Sequence, residues 1–294
     1  MVKTHSISEK LANALNVILL AAVGLAMLFP FYYMIATSFT SVSESAAKQF
    51  ILFPEKWVVD AYEYIFHSKV FVRALIVTIC VTVVGTLFSL LLTSMMAYSL
   101  SRKITGQKFF LFLVLFTFVF GAGIIPSYMV VKETHLLDTY WALIIPGAIN
   151  SFNLIVLRQF FLGIPNDLTE ASVLDGANDL QIFSRIILPL SKPALAAFGL
   201  FYAVTSWNTY FTALIYISDP SKWTIQVILR QIVILSQRLD SLSDGQQAAL
   251  ANASPPAETI GMAAILIATI PILALYPFLQ KHFAKGVMLG SVKG

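Results

Sequence analysis

Apolar residues run along this chain in long stretches that contain no Asp, Glu, Lys or Arg. Six of these stretches are Leu11–Ser43, Ala74–Ser101, Phe109–Val131, Thr139–Leu157, Pro193–Ser218 and Thr259–Gln280. A bilayer core needs about 20 apolar residues as a helix, and a charge at its centre costs roughly 2.5–3.5 kcal/mol on insertion scales. The pattern therefore predicts an all-α membrane protein with six transmembrane helices, at about 11–38, 74–101, 109–131, 139–160, 193–218 and 259–280.

Composition and loop charge agree with one membrane domain over residues 1–294. The chain is 58% hydrophobic and 12% charged, with a mean hydropathy of +0.80, whereas soluble domains carry about 25% charged residues. Arg102, Lys103 and Lys108 make the second connection basic, which is typical of a cytoplasmic loop. Alternation then predicts that both termini are cytoplasmic. The net charge of +4 is a topology signal of this kind, and we expect no nucleic-acid partner.

Several chemistries are absent from the sequence. Ion-coupled transporters keep ionisable groups inside their spans, but the six stretches hold none, and His5, His67, His135 and His282 all lie outside them. There is one cysteine, Cys80, no phosphate-binding G-x-x-x-x-G-K-[ST] loop and no clustering of metal ligands. We therefore expect no catalytic residue and no metal site, and an intramembrane enzyme is disfavoured. Uphill transport would need energy from another chain.

Two connections, 44–73 and 219–258, are long and predicted to lie outside. The first contains Pro54 and Trp57 and is expected to hold short helical pieces. The second has apolar residues at 225, 228, 229 and 232, which is a helical spacing. An amphipathic helix there would either lie on the membrane or bind a partner, and the sequence leaves both alternatives open.

The connection at 164–193 is long for a loop between neighbouring spans. Asp167 is predicted to begin a short helix that stops near Gly176, and Asp179 to cap a second helix through about Ile187. Two prolines, Pro189 and Pro193, then change the direction of the chain. The result is a bent segment, the elbow (residues 164–193). Its apolar residues are expected to bury against something, and they are Leu174, Phe183, Ile186 and Ile187.

The elbow resembles the cytoplasmic EAA loop of ATP-binding-cassette (ABC) importer permeases. The matching pattern is Glu170-Ala171-Ser172, then Gly176, then Ile186-x-Leu188-Pro189, with Ser172 where Ala is usual. Further matches are typical of the carbohydrate-uptake branch, and they are Asp175, Ala177, Phe183, Leu190 and Pro193. The segments Arg158-Gln-Phe-Phe, Ser206-Trp-Asn and Lys285–Gly294 are also similar to sugar permeases, and within that branch the chain is similar to importers of alginate and pectin-type saccharides.

The resemblance implies a type I ABC importer permease in the bacterial cytoplasmic membrane, crossing it several times. It also implies a second six-helix permease subunit, as a heterodimer, two ATP-binding subunits, an extracytoplasmic solute-binding protein and contact with membrane lipid. This chain would bind no cofactor, because the partner ATPase uses ATP and Mg. Residues implied in ATPase coupling are Glu170, Ala171, Ser172, Asp175, Gly176, Ala177, Arg185 and Pro189. The expected cargo is an oligo- or polysaccharide, with an acidic one such as alginate among the candidates; alternatives are a non-sugar solute or a passive channel.

A saccharide path needs hydrogen-bonding groups and aromatic faces. Candidates within the predicted spans are Tyr128, Asn150, Asn153, Trp207, Asn208 and Tyr210. Among them, the cluster at 207–210 is the strongest candidate. The alternative role is hydrogen bonding between helices, which polar residues often provide in membranes.

Overall fold

A computed structural model of the chain describes residues 7–48, 50–240 and 256–286. The tail from 287 onward and the part of the second long connection at 241–255 lie outside the described residues. The helices of the described part are α1 Ile7–Ser38, α2 Val42–Ala47, α3 Asp60–His67, α4 Lys69–Ser101, α5 Gln107–Val119, α6 Ile124–Glu133, α7 Trp141–Ile144, α8 Ser151–Leu162, α9 Asn166–Leu174, α10 Asp179–Ile182, α11 Leu188–Leu190, α12 Lys192–Trp207, α13 Phe211–Tyr216, α14 Ile225–Asp240 and α15 Ala257–Gly286.

Among the described residues, three helical segments are long and apolar enough to cross a membrane. They are Leu11–Ser38 in α1, the whole of α4, and Ala257–Leu275 in α15. A fourth arises if the bent pair Asp179–Leu190 and Lys192–Trp207 counts as one span. The other predicted spans are interrupted. The chain leaves regular helix at 120–123 between α5 and α6, at 145–150 between α7 and α8, and at 208–210 between α12 and α13.

The described residues form two compact units, divided at Ser68, Ile228 and Ala268. In the first unit, the end of α1 leads into a small lobe made from α2 and α3, inside the first long connection. Tyr62 Oη lies 2.8 Å from Ser38 Oγ. The buried Glu44 carboxylate accepts two hydrogen bonds from the Glu55 backbone N–H, with N···O distances of 2.9 and 3.1 Å. These contacts hold α3 against the end of α1, and the irregular segment between the two short helices against α2.

The second unit is built around α4, against which α8 and α12 pack. One face of α4 carries small and hydroxyl residues at helical spacing, and all of them are buried or half-buried: Thr78, Thr82, Gly85, Thr86, Ser89 and Thr93. A Cβ atom added at Gly85 would lie 3.4 Å from Ser206 Oγ. Small side chains therefore allow α12 to approach α4 closely, as is common between membrane helices.

The helical spacing at 225–232 does produce a helix, α14, but its first turn is not an exposed amphipathic face. Ile225 and Ile228 are buried inside the second unit, and the Ile225 backbone N–H donates to Thr78 Oγ1 at 2.7 Å. The start of this helix is thus covered by its own chain. The expectation that its apolar face at 225 and 228 lies on the membrane or binds a partner is wrong.

Candidate functional site

The elbow is a short helix, a glycine turn and a second helical piece, as the sequence predicts. Helix α9 ends at Leu174, and Gly176 has φ +80°, a left-handed conformation that glycine adopts without steric cost. The second piece comprises α10, a π-helical turn over Phe183–Ile187 and α11. The chain then bends by 85° into α12, close to the two predicted prolines.

The predicted helix caps are wrong by one or two residues. Helix α9 begins after Pro165, which provides no side-chain cap, so Asp167 lies in the first turn instead of capping it. Helix α10 is capped by Asn178, whose side-chain Oδ1 accepts a hydrogen bond from the Gln181 backbone N–H at 2.9 Å. In return, Gln181 Oε1 accepts from the Asn178 backbone N–H at 2.9 Å. This reciprocal capping box takes the place predicted for Asp179.

The apolar residues of the second elbow piece are buried inside this chain. Phe183 and Ile187 are 5% and 3% exposed. They belong to a cluster, the elbow core, with Ile182 and residues from three other helices: Ala97 and Tyr98 of α4, Leu157 and Phe161 of α8, and Phe198 of α12. Phe183 and Ile187 therefore bury against their own membrane helices, to which they fix the elbow, and do not reach into a partner's cleft.

The residues matched to the EAA pattern lie on the open side of the elbow. Glu170, Ala171, Asp175, Gly176, Arg185 and Pro189 are exposed, while Ser172 and Ala177 are half-buried. Leu174 is 88% exposed and Val173 and Leu180 are also exposed. A Cβ atom at Gly176 would meet nothing within 4 Å. Apolar and charged side chains thus share one uncovered surface, the elbow face (Glu170 to Leu180).

The end of α4 is tied to the neighbouring helices beside the elbow. The Leu100 carbonyl accepts from Gln107 Nε2 at 2.7 Å and from Arg158 Nε at 2.8 Å. The Arg102 guanidinium lies over the Tyr98 ring, 5.1 Å from its centroid, and donates to Tyr98 Oη at 3.0 Å. Arg158 therefore has a local structural role here, because it joins α8 to the end of α4.

Candidates for the saccharide path fall into two groups. Asn153 and Trp207 are buried, at 7% and 5% exposure, so they do not face open space. Asn150 and Asn208 are exposed, and Tyr128 and Tyr210 are half-buried. Asn208 Nδ2 donates to the Val204 carbonyl at 2.8 Å. The structure therefore keeps four of the six candidates near the surface of the second unit.

Sequence reasoning missed the polar contact at the centre of the second unit. Tyr202 Oη lies 2.6 Å from Thr93 Oγ1 and accepts a hydrogen bond from the Asn150 backbone N–H at 3.2 Å. It thereby joins α4, α8 and α12. The signal was the recurrence of Thr and Ser along one face of α4, because a polar stripe on a membrane helix needs partners on its neighbours.

At the other end of the second unit, one ion pair organises two loops. Asp138, at φ +58°, pairs with the Lys222 ammonium at 2.9 Å and accepts from the backbone N–H groups of Ser218 and Asp219 at 3.2 and 3.0 Å. The Lys222 hydrogen bond and these N–H groups lower the pKa of Asp138, and the Asp138 carboxylate raises the pKa of Lys222. The loop before α7 is thus joined to the turn after α13.

The family model for the inner membrane component of binding-protein-dependent transport systems matches residues 89–289. The chain belongs to this family. The match begins within α4 and includes the elbow and the whole of α12, so the resemblance inferred from the EAA pattern is confirmed. The chain is an inner-membrane permease subunit of an ABC importer that crosses the membrane several times, and it is a transport component, not an enzyme.

Curated relatives align over almost the full length. The chain is 53% identical over 273 residues to the polygalacturonan/rhamnogalacturonan transport system permease protein YtcP of Bacillus subtilis, covering 92% of this chain and 94% of that one. It is 49% identical over 280 residues to the protein LplC of the same species, covering 95% and 94%. At this identity and coverage, the relatives extend the family assignment to almost the whole chain.

A solved structure gives the same result for the fold. A chain of a bacterial ABC transporter involved in the import of the acidic polysaccharide alginate superposes with a TM-score of 0.87 at 33% identity, covering 96% of this chain and 100% of that one. The arrangement of helices is therefore that of an ABC importer permease.

Proposed function

We propose that this chain forms part of the membrane path of an ATP-driven importer for oligosaccharides of acidic polysaccharides. The observation that carries the proposal is the 53% identity to a permease named for polygalacturonan and rhamnogalacturonan transport, supported by the superposition on a transporter of alginate. Both named cargoes are acidic saccharides, which sets the expected substrate class.

The proposed topology has six spans with both termini in the cytoplasm. In it α1, α4 and α15 are continuous spans, and the pairs α5–α6, α7–α8 and α12–α13 are interrupted ones. The first pair covers residues 107–133 and the second 141–162, lengths that suit a crossing of about 20 residues. The charge balance of the connections supports this orientation.

Coupling to ATP hydrolysis is proposed to occur at the elbow face. Val173, Leu174 and Leu180 are apolar residues in water, and Asp175 and Arg185 add charge beside them. An ATPase subunit that covered this face would bury the leucines. Each leucine contributes about 1.5–3 kcal/mol when fully buried.

The elbow core supports the transmission of movement. Because Phe183 and Ile187 pack against α4, α8 and α12, a displacement of the elbow would move those helices with it instead of bending a loose loop. The full assembly in this proposal contains a second six-helix permease, two ATPases that bind ATP and Mg, and an extracytoplasmic solute-binding protein. This chain itself holds no cofactor.

The substrate class is tested by direct uptake. The whole transporter, purified through a tag on this chain, is reconstituted in vesicles with ATP inside and its binding protein outside, and accumulation of labelled trigalacturonate is compared with that of labelled maltotriose. We expect ATP-dependent accumulation of the uronate oligomer and little of the neutral one. Equal uptake of both, or uptake without ATP, contradicts the proposal.

A further inference from the structure

Three interrupted helices of the second unit end at a similar distance from the elbow. Helices α5 and α8 meet beside the end of α4, where Gln107 and Arg158 share the Leu100 carbonyl, and α12 begins at the elbow bend. They contain 13, 12 and 16 residues. At 1.5 Å per residue, regular helix stops about 18–24 Å from the elbow end. The three non-helical segments, 120–123, 145–150 and 208–210, are called the break layer.

Contacts between helices join the first two breaks and bring α12 and α13 close to them. Next to the first break, Thr117 Oγ1 lies 3.0 Å from Ser151 Oγ at the second. The Asn150 backbone N–H donates to Tyr202 Oη of α12. Beyond the breaks, the Tyr128 and Tyr216 rings of α6 and α13 lie 6.3 Å apart. The first two breaks are therefore neighbours in space. The helices on either side of the third break also lie close by, because α12 contacts the second break through Tyr202 and α13 contacts α6 through Tyr216.

The break layer carries backbone donors without acceptors. The N–H groups of Gly121, Ala122 and Gly123 donate to no residue in the described part of the chain. The same is true, within those described residues, of the N–H groups of Gly147, Ile149 and Tyr210. These are hydrogen-bonding groups that folding normally satisfies.

The layer is also open. A Cβ atom added at Gly121, Gly123 or Gly147 would meet nothing within 4 Å, whereas one at Gly85 would meet Ser206 at 3.4 Å. Asn150 and Asn208 are exposed there as well. The glycines of the break layer therefore face empty space, unlike the buried glycine of α4.

Lipid cannot occupy that space at low cost. In a bilayer core each unsatisfied backbone group costs several kcal/mol, and irregular backbone is tolerated only where protein covers it or where it lines a water-filled cavity. We infer that the break layer lines the saccharide path, and that its free N–H groups donate hydrogen bonds to ring-substituent and carboxylate oxygens of the passing saccharide. Carboxylates are strong acceptors of backbone N–H bonds.

This inference rests on the proposed function for the identity of the cargo, but its geometric part stands separately. The sequence-based candidates for the path were polar side chains. Here the principal donors are main-chain groups at 121–123, 147 and 149, which a sequence pattern of polar residues does not reveal. Main-chain donors would recognise any saccharide oxygen that comes within hydrogen-bond distance, whichever sugar unit carries it. They therefore suit a polymer that moves stepwise through the layer.

Thiol accessibility tests the inference in the complete transporter. The exposed native cysteine is first removed by Cys80→Ala, and single cysteines are then introduced as Gly121→Cys, Gly147→Cys and Asn208→Cys. The matched control is Leu87→Cys. Leu87 is 64% exposed on the unbroken helix α4. By helix rise it lies about 21 Å from the elbow end of α4, the same depth as the break layer.

The reaction is with a small charged methanethiosulfonate, in membranes. We expect the three break-layer cysteines to react roughly tenfold or more faster than Leu87→Cys, since the hydrated thiolate is the reactive form. Trigalacturonate with binding protein and ATP should slow that reaction. Three positions are tested, two glycines and one asparagine, so that the misfolding of one variant does not decide the result. The ATPase activity of each variant shows whether its transporter is assembled.

The outcomes separate the two proposals. Rates equal to the control at all three positions overturn the inference even if the Cys80→Ala parent accumulates trigalacturonate, because the breaks are then covered by the second permease or by lipid. Fast reaction without protection by trigalacturonate overturns the assignment of a saccharide to the layer. Fast reaction with protection, in a transporter that fails the uptake assay, supports the layer and counts against the proposed function.

Discussion

The rings of Tyr98 and Phe183 lie 5.2 Å apart and join the end of α4 to the π-helical turn of the elbow. Both side chains are buried, and Arg102 donates a hydrogen bond to the Tyr98 hydroxyl. Aromatic pairs in this distance range contribute about 0.5–1.5 kcal/mol beyond their buried area. π-Helical turns often occur at functional sites. This contact therefore connects the elbow directly to a continuous membrane helix.

Truncation of Phe183 is expected to uncouple the transporter. Phe183→Ala removes a buried ring, a change that costs about 3–5 kcal/mol in soluble cores, and it loosens the elbow from α4. We expect ATP hydrolysis to continue while its stimulation by the loaded binding protein falls severalfold. ATPase activity and uptake are measured on the same vesicles. The matched control is Tyr98→Phe, which keeps the ring contact and loses only the bond to Arg102. Full coupling in Phe183→Ala contradicts the role given to the elbow core.

The exposed leucine of the elbow face gives a separate prediction for ATPase binding. Leu174→Asp places a charge where apolar burial is proposed, so less ATPase should co-purify with the permease while the second unit stays folded. Leu174→Met is the control, because it keeps an apolar side chain of similar volume. Equal co-purification of the ATPase with both variants would remove Leu174 from the interface.

Two requirements explain a glycine at position 176, its backbone conformation or the close approach of a partner, and substitutions can separate them. Its φ of +80° disfavours most side chains, but asparagine tolerates that conformation better than alanine does. If only the backbone matters, Gly176→Asn should couple nearly normally and Gly176→Ala should not. If a partner approaches the Cα closely, both variants should lose coupling. The coupling proposal places an ATPase subunit against the elbow face, and no atom of this chain fills the space at the added Cβ. We therefore expect the second result, measured as ATP-driven uptake. Normal coupling in Gly176→Asn would contradict it.

The Asp138–Lys222 pair predicts a pH dependence. The pKa of Asp138 is lowered in the folded protein, so its contribution to stability is present above the unfolded value, about pH 4, and is lost as the pH falls through the lower folded value. Asp138→Asn keeps the positive-φ conformation and removes the charge. Its melting temperature should be below that of the parent at pH 6, and the difference should shrink below about pH 4.

The control for this experiment is Glu133→Gln, which removes a carboxylate from nearby α6 without touching the pair. It should shift the melting temperature little at either pH. A difference between Asp138→Asn and the parent that stays constant down to the lowest pH would show that the carboxylate charge is not what holds the two loops.

The elbow could be predicted from the sequence because its signals are local. Gly176 and the proline pair mark a turn and a bend by their own backbone chemistry, and the structure places both where the pattern does. The choice of Asn178 over Asp179 as the cap could not be predicted, since both residues cap helices well. It depends on the reciprocal bond from Gln181.

The burial of Phe183 and the helix breaks could not be predicted for a different reason. An apolar residue on a cytoplasmic loop suits its own core and a partner's cleft equally, and only the approach of Tyr98 and Phe198 decides. The absence of charge identifies membrane segments without showing whether the backbone stays helical. Gly121, Gly123 and Gly147 each weaken a helix by about 1 kcal/mol relative to alanine. Gly85 and Gly199 nevertheless lie inside regular helix, so glycine alone does not locate the breaks.

The central claim is that ATP hydrolysis by partner subunits drives saccharide import through the elbow of this chain. Its most direct measurement is the number of trigalacturonate molecules accumulated per ATP hydrolysed in vesicles, for the parent and for Phe183→Ala. The account predicts a fixed ratio in the parent and a ratio that falls severalfold in the variant while hydrolysis persists. An unchanged ratio in the variant, or accumulation by this chain without ATPase subunits, would contradict it.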